Sequence, residues 1–134
     1  MKDIDTIFQM ISDNQNKEIQ EKGICEGKKV KHISVFFQPI EGKQYWENCA
    51  EIIVSKENSE LQERYIYMML LWLRDINWPG AEKIYDRLLK FPVALIDHPL
   101  HYCLNQAEKT DDIPWYRNLL SLLNELNAIN QPLT

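Results

Sequence analysis

The chain has 134 residues, with 20 Asp and Glu against 15 Lys and Arg, a net charge of −5, and 45% hydrophobic residues. That balance excludes a disordered segment and speaks against a phosphate-backbone binder unless the basic groups cluster. Only 4 Gly and 6 Pro argue against a small all-β protein, and three cysteines without C-x-x-C spacing (Cys25, Cys49, Cys103) argue for a reducing, cytoplasmic address.

The first ten residues hold no apolar run of the kind a secretory signal needs. Ile4, Ile7, Phe8 and Ile11 predict a short helix, and Ile19 with Ile24 a second. Lys28, Lys29, Lys31 and His32 follow as the best basic cluster, in a connecting stretch where such charges are usually just solvated. Ile33, Val35 and Phe37 alternate as a strand would, but Phe36 and Pro39 break the pattern. A lone strand has nothing to pair with, so an extended or short helical segment docked on the core is predicted. Residues 1–44 are thus read as a less regular part of a single helical domain, and 45–127 as its helical-pair core.

Tyr45, Trp46, Cys49, Ile52 and Ile53 mark a helix from about Gln44 to Ser55. Ser59 with Gln62 predicts a capping box opening a helix from Leu61 to about Asp75. The run Tyr65–Leu73 is apolar at every position, so this helix is expected at the centre, covered on most sides. At nine residues the run is about half of what spans a bilayer, so no membrane partner is expected. Asn77 as N-cap and Pro79 in the first turn predict the next helix. Its apolar stripe is Ala81, Ile84, Tyr85, Leu88 and Leu89, and a loop of about two residues would set it antiparallel to its predecessor. Phe91-Pro92 ends that helix, Pro99 starts another capped by Asp97 or His98, and Asp111 or Asp112 caps the last. The final stripe is predicted as Trp115, Tyr116, Leu119, Leu120, Leu123 and Leu126.

The stretch Trp72-Leu73-Arg74-Asp75-Ile76-Asn77-Trp78-Pro79-Gly80-Ala81 resembles the W-L-x-D-x-N-W-P-x-A signature of a family of small bacterial domains of unknown function. The likeness extends upstream through Tyr45–Ala50 and downstream to Asp112 and Trp115, roughly from Ile33 to Leu126. It implies a HEAT-like superhelix and brings no catalytic residues with it. Domains of this kind are similar in size and character to immunity proteins that neutralise bacterial toxins, an analogy at the level of fold.

The residues offer little catalytic chemistry. His98 and His101 could share a helical face as zinc ligands do, but Pro99 lies between them and capping or surface roles suit them better. Cys49 and Cys103 fall in apolar stripes, where a thiol is packing. No cofactor motif or metal-ligand set is present in the sequence. Asp75 and Asn77 read as turn and cap residues, and Trp78, beside a loop, as either a turn anchor or an interface aromatic.

The expectation is an all-α fold, a short HEAT-like right-handed stack of antiparallel helix pairs with about five to seven helices. The expected function is a non-enzymatic protein-interaction module, of the immunity type, with a toxin-like and basic protein partner. Its candidate interface residues are Trp78, Asp75 and Asn77. A nucleic-acid-binding helical repeat using Lys28, Lys29, Lys31, Lys83, Arg87 and Lys90, or a small enzyme using Asp75 or His98 and His101, are the alternatives.

Overall fold

The computed structural model describes residues 2–130; among these there are seven α-helices and no strand. The first two helices begin as their sequences direct. Asp3 Oδ1 accepts the Thr6 N–H at the start of α1 (Ile4–Ile11), and Asn16 Oδ1 accepts that of Ile19 at the start of α2 (Lys17–Gly27). Each cap satisfies a donor that the first helical turn leaves free. The predicted less regular N-terminal segment therefore holds two regular helices packed on one another. Ile33–Phe36 then forms a 3-10 turn that buries Ile33 and Phe36, the docked short helical segment expected there.

Helix α3 (Trp46–Val54) matches its predicted span. The capping box after it forms two residues earlier than predicted, with Glu57 and Glu60 closing the 3-10 turn Asn58–Glu60 in place of Ser59 and Gln62. Glu57 and Glu60 exchange bonds with each other's backbone, and a Ser59 box is left without a helix to start. Helix α4 is accordingly shorter than expected, Glu63–Trp72. Helix α5 is Ala81–Leu88, so the connection from α4 is a built turn and not a two-residue loop. Gly80, in the left-handed region at φ 86°, occupies the N-cap position that Asn77 was expected to fill.

Pro99 does not start a helix. It lies inside α6 (Val93–Lys109), which begins after Pro92. The buried stripe Ile96, Pro99, Leu100, Cys103, Leu104 and Ala107 runs through it without a break. The buried ring offsets part of the cost of the missing amide donor. Helix α7 (Ile113–Ile129) is capped by Asp112, whose Oδ1 accepts the Trp115 N–H at 3.2 Å, with Pro114 in the first turn. Its buried residues are Trp115, Leu119, Leu122 and Leu126; Leu120 faces solvent, and Tyr116 and Leu123 are half-buried. A 3.6-residue period drifts around the helix, and it carries Leu122 inward in place of Leu120.

Paired contacts give the directions of the helices. Along α2 and α3, Asn48 donates to Gln20 and, further on, Lys56 Nζ to the Lys28 carbonyl, so the two run side by side in one sense. Along α3 and α5, Lys83 pairs with Glu47 and Glu51, then Arg87 donates to the Lys56 carbonyl, again in step. Along α4 and α6, Tyr67 meets Tyr102 and, beyond the helix ends, Arg74 meets Asp112. Helices α2, α3 and α5 thus form one row, and α4 and α6 a second row beside it. The fully buried side chains Trp72, Met69, Leu70, Leu73, Ile52, Ile53 and Ile84 form the seam between them. No helix among the described residues is long and apolar enough to cross a membrane.

Candidate interaction site

The ten residues from Trp72 to Ala81 build a closed turn. The Trp72 indole N–H donates to the Pro79 carbonyl at 3.0 Å, bridging the turn across its base. Asp75 Oδ1 accepts the Asn77 N–H, and the Asp75 carbonyl accepts the Trp78 N–H at 3.0 Å. Asp75 thereby takes the turn-forming role that an Asx side chain offers. Gly80 lies so close to α3 that a Cβ there would meet the Ala50 Cβ at 2.6 Å and the Trp46 carbonyl oxygen at 3.0 Å. Asn118 of α7 donates to the Leu73 carbonyl at 2.7 Å, tying the turn to the last helix.

Asp75 and Asn77 are exposed at the tip of this turn and Trp78 is half-buried. The Trp78 ring stands edge-on to Trp46 at 5.5 Å, and Trp46 edge-on to Trp72 at 6.1 Å. Lys43 Nζ lies 5.8 Å from the Trp46 ring centre and 5.9 Å from that of Trp78, within reach of cation–π attraction. The three candidate residues therefore share one turn, but Asp75 and Trp78 are engaged in holding it.

The titratable groups are likewise occupied. Burial pushes the thiols of Cys49 and Cys103 up to about 12, with the Glu41 carboxylate adding to the effect at Cys49. A thiol so raised is protonated and a poor nucleophile. His101 pairs with Asp97 one turn earlier at 3.4 Å on the exposed side of α6. Asp112 caps α7 and meets Arg74 at 3.2 Å.

Of the six basic residues named for a nucleic-acid face, Lys83, Arg87 and Lys29 are engaged within the fold, while Lys28, Lys31 and Lys90 are exposed. Lys83 sits between Glu47 and Glu51; burial alone would lower its pKa, but the two carboxylates outweigh that and raise it. Arg87 is buried, donates to Asn58 Oδ1 and the Lys56 carbonyl, and stacks over Phe91. Lys29 pairs with Glu26 at 3.4 Å.

The open apolar surface lies elsewhere. A groove of about 570 Å³ runs between α4 and α6, walled by Tyr67, Leu71, Tyr102 and Trp115 and closed at one end by Arg74 and Asp112. Leu71 is 41% and Tyr102 50% exposed, and the Tyr67 and Tyr102 rings meet edge-on at 5.4 Å. The sequence reading missed Tyr67 and Leu71 because it placed the Tyr65–Leu73 run at the centre, covered on most sides, without saying which side stays open, and it assigned Tyr102 to no stripe. The available signal was that Tyr67 and Leu71 stand one helical turn apart, on a face no predicted stripe claimed.

An all-helical domain with a locked aromatic turn and an open groove between neighbouring helices is the class that these features define. The chain belongs to the family described as Domain of unknown function (DUF5071), whose profile matches residues 43–132. The match takes in α3 to α7 and leaves α1 and α2 outside. Comparison with curated proteins and with solved structures gave no match.

Proposed function

We propose that this protein is a non-enzymatic interaction module, an immunity-type partner that binds and neutralises a basic, toxin-like protein in the bacterial cytoplasm. On this reading its paired helices are a short HEAT-like stack, and the stack presents a face to the partner. The observation that carries the proposal is the groove between α4 and α6, with Leu71 and Tyr102 held half out of water. Exposed aromatic and aliphatic groups on a rigid wall are what interface anchors consist of. The engagement of Lys83 and Arg87 within the fold favours a protein partner over nucleic acid. The raised thiols of Cys49 and Cys103 favour binding over nucleophilic chemistry.

Affinity capture from host lysate with the intact protein, and with a Leu71→Glu/Tyr102→Ala variant, tests the reading. The intact protein should retain one stoichiometric basic partner and protect cells against it, and the variant should lose both. Retention of nucleic acid alone, or equal capture by the variant, would count against it.

A further inference from the structure

Ile40 is 98% exposed, the most exposed large apolar side chain among the described residues. It is not on a loose tail. Its turn runs from Gln38, at φ 44°, to Gly42, at φ 151°, and both positions lie in backbone regions that side chains rarely adopt. The Trp46 indole N–H holds the Pro39 carbonyl at 2.9 Å and so braces the turn against α3. The turn buries Pro39 but holds the neighbouring Ile40 side chain in water, where it contributes nothing to burial, which points to a use for the exposed side chain.

Beside Ile40 lies a groove of about 700 Å³ floored by Phe8, Phe37 and Tyr45. Phe8 stacks on Phe36 at 5.6 Å and meets Tyr45 edge-on at 5.4 Å, so the floor is already formed. Val35, 43% exposed, makes another wall. Two carboxylates, Asp5 and Glu41, line the groove, and no lysine or arginine does. The neighbouring Lys43 is turned over Trp46 and Trp78.

We infer that this groove and its Ile40 rim are a docking surface for a protein segment that inserts an apolar side chain flanked by lysine or arginine. The apolar floor takes the side chain, and Asp5 and Glu41 meet the flanking cations, which fixes orientation more than affinity. Because most of the groove is built from residues before the family's matched stretch, it gives this chain a recognition surface apart from the α4–α6 groove. The inference rests on the interaction-module reading and specifies a face for it.

Site-specific photo-crosslinking of the full chain tests it, with benzoylphenylalanine placed at position 40 and, separately, at position 102. Position 40 should yield an adduct whose partner peptide, sequenced by mass spectrometry, carries an apolar residue beside lysine or arginine. Ile40→Asp should reduce capture of that partner about ten-fold or more while leaving the melting temperature unchanged. An adduct with a second copy of the chain, a partner peptide without basic residues, or silence at 40 alongside an adduct at 102 would overturn the inference and spare the broader reading. Silence at both positions would remove both.

Discussion

At Gly80 two constraints meet in one residue: a φ of 86° and a backbone pressed onto Ala50 and Trp46. Gly80→Ala would strain the first and collide with the second, so a loss of about 2–4 kcal/mol is expected. Urea denaturation measures it, and a loss below about 0.5 kcal/mol would show that α3 and the turn are not in rigid contact. The buried thiols make a pH prediction. Cys49 and Cys103 titrate near 12 in the fold, whereas an unfolded thiol titrates at about 8.5. Between those values the unfolded chain gives up protons that the folded chain keeps, so stability falls as pH rises. The expected loss is roughly 1–2 kcal/mol per thiol by about pH 10. Denaturation curves across this range should show the slope, and the Cys49→Ala/Cys103→Ala variant should flatten it. In the native protein at neutral pH, the exposed Cys25 should be the thiol that reacts readily with Ellman's reagent.

The junction between α6 and α7 shows how an element end is specified. Asp111, at φ 57°, donates its N–H to the Glu108 carbonyl, and the Asp112 N–H reaches the Ala107 carbonyl at 2.9 Å. This closes α6 in a Schellman turn, with an aspartate at the left-handed position that glycine usually takes. Asp112 then opens α7 and pairs with Arg74. Asp112→Ala removes the cap and a partly exposed ion pair. A loss of about 1–2 kcal/mol is expected, most of it from the cap. Asp112→Asn should recover most of that loss, since an amide oxygen also caps; thermal denaturation of the two variants would decide whether cap or ion pair dominates.

For the molecule as a whole, the row of α2, α3 and α5 and the row of α4 and α6 divide the labour. Polar ties run along the first row, from Asn48 to Gln20, Lys83 to Glu47 and Arg87 to Asn58. The second row leaves the aromatic groove open. Leu71→Glu/Tyr102→Ala should therefore leave the fold standing at a cost of about 1–2 kcal/mol, mostly the lost edge-on tyrosine contact and partial burial. Circular dichroism with chemical denaturation checks this. A larger collapse would mean that the groove wall belongs to the core and is not available to a partner.

The helical character was legible in the sequence because 3.6-residue periodicity and proline positions act locally. Asp112 before Pro114, and the α3 stripe from Trp46 to Ile53, follow from side-chain chemistry within a few residues. The role of Asp75 in a turn was legible for the same reason. Other features depended on groups distant in the chain. Pro99 stays inside α6 because its ring fills a stripe against other helices. Gly80 takes the N-cap position because α3 allows no side chain there. The exposure of Leu71, Tyr102 and Ile40 depends on which neighbours cover them. A continuous apolar run carries no record of which of its faces will be left bare. By itself the sequence determined that this protein is helical and where most of its helices fall. Only the tertiary structure decided which apolar residues face water, because burial is a property of packing between segments and not of any one segment.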